Sequence, residues 1–533
     1  MIRVSLPMVK QAPERSAGPG RRGLTLLPPP GGPQVQRSRG GEVDALFVVM
    51  PDSAAAAGCA RLPERLRWRD LLARERPRAG AVRTTSLANR RQTLAVLGFV
   101  GPESSAFERL ALAGRMMKEA AGRSPQTIGL ATAGFPAAAG EPSAAQASLE
   151  ALLAAALAQA FALPSCRAPA ADERRIGRIE IAADAKLDTR YAAICAEGTN
   201  LARWLTALPP NILDSRGYRT AVSQLARRHG LRMSWLGEQA LRRAGANAFL
   251  AVAAGNETPV AGIAHLEYRP GRRRGTRRSA RPGAPDLALI GKGILFDTGG
   301  VNLKPHRSML DMHTDMGGSA VALATLIALA ELRAPIAADA WLAITENRIG
   351  PQAYRPQEVV RAANGVTIQV IHTDAEGRMV LADTLALAAR TKPRMMLDFA
   401  TLTGACVYSL TERMSGAFTN RPALAQKLID AGRESGERVW TFPFDSDFDS
   451  DLESKVADVV QCTTEGKGDH ILAARFLSRF VPEEIPWAHL DLSSATRAGG
   501  LGHVNTEVTG FGVRYALELI LKQDVLEALE SGK

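Results

Sequence analysis

A chain of 533 residues is too long for one compact core, so two or more domains are expected. Its 46% hydrophobic content can fill such cores, and it contains no run of 18 or more apolar residues, so no membrane span is expected. The formal net charge is +12, and the five cysteines (Cys59, Cys166, Cys195, Cys406, Cys462) are dispersed without a CxxC pair, which points to reduced thiols in a cytoplasmic protein and away from a disulfide framework or zinc finger.

Residues 1–43 are rich in Pro, Gly and Arg (GPGRRG, PPPGGPQ) and read as a disordered basic tail. They hold no apolar h-region, so no secretory signal is expected there. From 44 the chain becomes globular. DALFVVM (44–50), TLAVLGFV (93–100) and TIGLATAG (127–134) read as buried strands, and the Ala/Leu-rich 144–163 as a helix. This defines an N-terminal α/β domain over 44–175. Residues 167–186 read as a connection, and 176–207 as a linker plus a connecting helix that stops before Pro209-Pro210.

The remainder, 208–533, reads as a larger α/β domain. Its buried strands are expected at 286–296, 336–345, 366–373 and 395–401, with an Ala/Leu helix after the turn at Gly317-Gly318. Strands alternating with helices imply a mostly parallel central sheet, and ligands of such sheets sit at the carboxyl ends of the strands. Between two of these strands lies RPGRRRGTRRSAR (269–281), within an inserted loop 269–283. Its seven arginines (Arg269, Arg272, Arg273, Arg274, Arg277, Arg278, Arg281) read either as a solvated loop or as a polyanion-binding one, though no aromatic residue is interleaved for base stacking.

The chemistry concentrates in IHTDAEGRMVLADTLALAAR (371–390), which spaces Asp374, Glu376 and Arg378 two apart. On an extended backbone these side chains share one side. Two adjacent carboxylates repel unless a cation lies between them, so the segment calls for a divalent metal, with Arg378 left for an anion. Lys292, Asp297 and Lys304 (GKGILFDTGGVNLKP) and Asp315 (HTDMGG) join them near predicted strand ends. Four carboxylates can hold two divalent ions that clamp a water and lower its pKa, and Lys304 can stabilise a developing oxyanion.

In this order the motifs resemble the leucyl aminopeptidase family of dinuclear-metal exopeptidases. HTDAEGRMVLAD and GKGILFDTGGVNLKP carry the likeness, with DMGG (315–318), ENRIGPQAYRP (346–356), ATLTGA (400–405), VADVVQC (456–462) and WAHLDL (487–492). The resemblance spans roughly 190–525 and is weaker over 44–170, where the family carries a small macro-like α/β domain. It implies a hydrolase that releases N-terminal residues from peptides with a free N-terminus, using zinc or manganese. It implies that Asp297 and Glu376 bridge two metals, that Lys292 (as a neutral amine) and Asp315 complete the tighter site, and that Asp374 completes the looser one. Lys304 would contact the substrate carbonyl, and Arg378 would hold a bicarbonate acting as general base. Thr401, Leu402, Gly404 and Met312 would line the bicarbonate and side-chain pocket. A cytoplasmic homohexamer is implied too. His372 stands where the family has Asn, and Thr298 and Asn302 each stand where it has Ser; His372 reads either as a hydrogen-bonded strand-end residue or as an extra polar group near the looser metal, and the other two changes remove no predicted ligand. A nucleic-acid-binding role is the alternative that the positive charge permits. A two-metal phosphoesterase would need phosphate-cradling donors that the sequence does not offer.

Overall fold

The computed structural model describes residues 24–38, 42–54, 62–74, 77–136, 143–167, 175–182, 187–257, 260–271 and 284–531. The first of its two large sheets comprises β1 (Gln34–Ser38), β2 (Ala45–Pro51), β3 (Val82–Ser86), β4 (Leu94–Val100), β5 (Thr127–Thr132) and β6 (Arg178–Ala182), in the spatial order β1-β6-β5-β2-β4-β3. All neighbours are parallel except β3 and β4. The central strands β2 and β4 are nearly continuous apolar runs, as expected for strands covered on both faces. Helices Ala106–Ala121 and Ala144–Ala160 pack against this sheet. Each starts at a reciprocal cap, Ser105 with Glu108 and Ser143 with Gln146.

Two expectations need correction here. Within the tail expected to be disordered, Gln34–Ser38 forms the edge strand β1, with Val35 buried, and Leu24, Leu26 and Leu27 pack against the larger core. The surrounding Pro and Gly masked one short strand that needs only a single inward apolar side chain. Residues 1–23 and 39–41 lie outside the described residues. Within the expected connection, Arg178–Ala182 forms β6, which pairs with both β1 and β5. Its alternation (RIEIA, with Ile179 and Ile181 buried) spans only five residues.

The second sheet holds β7 (Arg232–Gly237), β8 (Gly262–Tyr268), β9 (Leu287–Asp297), β10 (Ala338–Asn347), β13 (Met395–Ala400), β14 (Ser415–Thr419), β15 (Val439–Thr441) and β17 (Trp487–Asp491). Their order is β15-β14-β17-β13-β9-β10-β8-β7. The run β17-β13-β9-β10 is parallel throughout, and antiparallel pairings lie toward its two sides. A small separate sheet joins β11 (Val359–Arg361), β12 (Thr367–Gln369) and β16 (Val459–Val460). The strand expected over 366–373 is therefore shorter, because the chain turns before entering the helix Glu376–Ala389. The architecture is mixed α/β with mostly parallel central strands, as the sequence implied.

One helix, Gly317–Leu332, is apolar all round and sits against β9, β10 and β13. An 18-residue window within His306–Leu332 is apolar enough to cross a membrane, but 83% of that window is buried inside the protein, so it serves as core. Helix Thr189–Ala207 joins the two cores: Ala192, Ala193 and Ala196 belong to the smaller, Leu201, Trp204 and Leu205 to the larger. The ion pair Glu150–Arg514 (2.7 Å) and the bond from Asn505 Nδ2 to the Gly114 carbonyl (3.0 Å) also cross between them.

Glu437 shows how a buried charge is tolerated in this core. Its Oε2 accepts from the Gly512 and Tyr515 amides (2.9 and 2.8 Å) at the start of helix Val513–Leu521. Burial outweighs those bonds and pushes the carboxyl up to about 7. An acid whose pKa rises on folding binds its proton more tightly when folded, so its contribution to stability falls as pH rises from the unfolded value through about 7. Thermal melts across pH 5 to 8 should show Glu437→Gln gaining stability relative to wild type as pH increases.

Candidate metal centre

The centre forms at the carboxyl end of β9, the strand with β10 on one side and β13 on the other. Asp297 ends β9, and the next residues turn sharply at Gly299 and Gly300, both at positive φ (+86° and +66°). This turn returns Lys304 to Asp297, with Nζ 2.9 Å from Oδ2. Asp297 Oδ1 accepts from the Gly299 amide (2.8 Å) and from Asn347 Nδ2 (2.8 Å) at the end of β10. Asp297, Asp374 and Glu376 each offer an oxygen within 4.8 Å of the others.

Lys292 lies mid-strand and buried. Its Nζ stands 2.9 Å from Asp315 Oδ2 and 3.0 Å from Glu376 Oε1, and donates to the Thr401 carbonyl (3.0 Å). Gly377 makes this reach feasible, since a Cβ there would stand 2.6 Å from both Lys292 Cε and Nζ. Asp315 follows the short turn Met312–Thr314 and accepts from Thr401 Oγ1 (2.6 Å). Asp374 Oδ1 pairs with Lys304 at 2.5 Å.

The electrostatics follow from this crowding. Burial, and then repulsion from Asp297, push Glu376 up to about 7 and Asp374 up to about 6. Burial also pushes Asp315 up to about 7 against the pull of Lys292. Burial alone would depress both lysines, but Asp315, Glu376 and Asp297 outweigh it at Lys292, and Asp297, Glu376 and Asp374 at Lys304, so both stay above the usual lysine range. In the metal-free protein Lys292 is therefore an internal cation between carboxylates.

Arg378 departs from the expected arrangement. Glu376 begins a helix, so the extended-strand premise fails and Arg378 does not share a side with Asp374 and Glu376. Its buried Nη2 instead donates to both oxygens of Asp469 (2.8 and 2.8 Å), and Nη1 to the Gln461 carbonyl (3.1 Å). Of the predicted pocket residues, Thr401 touches the cluster directly. Leu402 continues the same loop, half-buried, exposed Gly404 begins the helix Gly404–Leu410 that follows it, and Met312 is half-buried on the turn before Asp315. His372 is a hydrogen-bonded turn residue. Its amide donates to Gln461 Oε1 (3.1 Å), its Nδ1 accepts from the Asp374 amide (3.3 Å), and burial, then Lys304, lower its pKa.

Several contributors carried no predicted role. Asn347 bridges Asp297 to the Thr373 carbonyl (3.0 Å), which Tyr354 also donates to (2.8 Å). Asn302 accepts from the Thr373 amide (2.9 Å), so that departure from the family pattern braces the Asp374 turn. Asp491 accepts from the Leu402 amide (3.0 Å) and the Thr403 hydroxyl (2.6 Å), fixing the Thr401 loop. Asn347, Tyr354, Gln461 and Asp491 all lie in motifs visible in the sequence. Asp469, in GKGDHILAAR, lies in none of them.

Residues 200–517 match the family described as cytosol aminopeptidase family, catalytic domain. The chain belongs to this family. A probable cytosol aminopeptidase of Synechococcus sp. (strain JA-3-3Ab) is 41% identical over 335 residues, covering 62% of this chain and 64% of the relative. One from Aquifex aeolicus (strain VF5) is 38% identical over 336 residues, covering 62% and 66%. The match thus spans less than two thirds of these relatives' lengths. Among solved structures, the bottromycin maturation enzyme BotP in complex with Mn superposes with a TM-score of 0.74 at 29% identity, over 91% of this chain and all of that one. A tomato leucine aminopeptidase (TM-score 0.77, 24% identity, 97% and 99% covered) shares the fold.

Gly377→Ala should push the Lys292 ammonium off Glu376. Isothermal titration should then show divalent-metal affinity lowered by about tenfold or more, the size of effect expected when the groups around a metal site are disturbed.

Proposed function

We propose that this protein is a metal-dependent aminopeptidase that hydrolyses the N-terminal peptide bond of peptides. The observation that carries the reading is the set of buried Asp297 and Glu376 with half-buried Asp374, whose ligand oxygens lie within 4.8 Å of one another, and Glu376 Oε2, buried without a hydrogen-bond partner among the described residues. A buried carboxylate oxygen with no donor is costly unless a cation meets it, so these residues fit a divalent ion. Asp297 and Glu376 are suited to bridge two ions, with Lys292 and Asp315 on one side and Asp374 on the other. Two divalent ions, zinc or manganese, would lower the pKa of a water between them and hold a substrate α-amine.

The chain's own groups divide the remaining work. In the metal-free protein the surrounding carboxylates hold the Lys304 pKa high, and a protonated Lys304 would donate to a carbonyl oxygen as negative charge develops there. Lys292 would have to surrender its proton to become a ligand, which couples metal uptake to proton release. The Asp491 bonds hold Leu402 and Thr403, beside Thr401 with its contacts to Lys292 and Asp315. An external bicarbonate on Arg378 belongs to the family reading, but Asp469 already occupies Nη2 of that arginine. A cytoplasmic homohexamer acting on peptides is proposed on the family likeness. Of the seven arginines in 269–281, only Arg269 is described. It pairs with Asp339 (2.5 Å) and Glu267 (3.0 Å), and nothing in this arrangement favours a nucleic-acid role.

Purified protein should hydrolyse Leu-p-nitroanilide with added Mn²⁺ or Zn²⁺ and lose activity with a chelator, and Glu376→Gln should lower kcat by roughly 100-fold or more. Absence of turnover with every divalent metal tested would refute the reading. Protons on Asp315 and Glu376 at about 7, and on Asp374 at about 6, compete with metal, so affinity should weaken as pH falls from 8 to 6. Titrations in buffers of different ionisation enthalpy should show more protons released per ion at pH 6 than at pH 8.

A further inference from the structure

We infer that Asp469 takes the place of an external oxyanion on Arg378, so that this chain carries a built-in carboxylate where the family resemblance puts bicarbonate. The inference rests on the aminopeptidase reading for its kinetic consequence, but its geometry stands independently.

Arg378 is a permanent cation whose side chain is only 3% exposed. A guanidinium removed from water needs an anion and filled donors. Nη2 donates to both carboxylate oxygens of Asp469 at 2.8 Å, and Nη1 donates to the Gln461 carbonyl. Nε is buried without a partner among the described residues. An oxyanion gripped in the bidentate manner needs two N–H groups on one edge of the guanidinium. Each such edge includes Nη2: one pairs it with Nη1, the other with Nε. An external anion that grips two N–H groups on one edge must therefore share Nη2 with Asp469 or displace it.

Displacement would be opposed by the way Asp469 is held. It is the first residue of the ten-residue helix Asp469–Ser478, entered through Gly468 at φ +61°, where the exposed amides of the first turn favour a negative charge. Gln461, which takes Nη1, also donates from Nε2 to the Ala375 carbonyl (3.0 Å), just before Glu376. The arginine is thus fixed between the Asp469 helix and the segment bearing the metal-site carboxylates. Bicarbonate and an aspartate carboxylate present the same group to it: a planar, singly charged oxyanion with two oxygens on one side. Asp469 acts through Arg378 and is a positioning residue.

The test compares wild type with Asp469→Asn and Asp469→Ala. Metal-loaded enzyme is assayed in bicarbonate-free buffer, then with sodium bicarbonate against sodium chloride at equal ionic strength. Wild-type kcat should change by less than about twofold. The variants should lose about tenfold or more in kcat with little change in KM, and recover most of it with bicarbonate, which a purely structural role for Asp469 would not produce. Several-fold stimulation of wild type by bicarbonate would overturn the inference. So would variants as active as wild type in its absence, or a loss that bicarbonate does not repair. Thermal melts of the metal-free proteins give a readout that needs no peptidase activity: bicarbonate should raise the Tm of Asp469→Asn and leave wild type unmoved. If no variant or wild type turns over peptide, the aminopeptidase reading fails, and the melts still decide for or against Asp469.

Discussion

The carboxyl end of β9 crowds Asp297, Asp315, Asp374 and Glu376 into a region that excludes water, and the surrounding structure is organised around their mutual repulsion. Desolvation and repulsion push three of them toward neutrality. Two lysines oppose this. Lys292 reaches Asp315 and Glu376 from within the strand, and Lys304 reaches Asp297 and Asp374 from the following loop. The protein thus holds four negative groups close together by inserting two positive ones. Divalent ions would replace part of that compensation when bound.

Each segment that brings a charged residue to the cluster is braced by a neighbour outside it. Asn347, at the end of the adjacent strand β10, ties Asp297 to the Thr373 carbonyl. Asn302 and Tyr354 brace Thr373 from two other segments. Asp491, at the end of β17, fixes the loop after β13, whose Thr401 contacts both Lys292 and Asp315. Parallel strands place their carboxyl ends side by side, so residues more than a hundred positions apart converge without long loops.

The cluster of Lys292, Asp297, Lys304, Asp315, Asp374 and Glu376 was legible in the sequence because its residues fall in short, ordered motifs. The bracing residues Asn347, Gln461 and Asp491 stood in those motifs but gave no sign of their role, which depends on where neighbouring strands end. Short strands were less legible: β1 and β6 each rest on one or two inward side chains, and neither Pro/Gly-rich surroundings nor a five-residue alternation separates them from a loop. The reading of Asp374, Glu376 and Arg378 as one-sided failed for a local reason. The period-two argument holds only along a strand, and this stretch changes from turn to helix at Glu376.

By itself the sequence determined the fold class, the position of Asp297 at a strand end and the demand for a cation among the carboxylates, because charge type and motif order are written in the chain. Tertiary structure alone decided which charges meet. It gave Lys292 two carboxylates through the space left at Gly377, and it gave Arg378 the carboxylate of Asp469, 91 residues away. A charge buried by folding must find its partner wherever the fold places one, and spacing along the chain does not encode that distance.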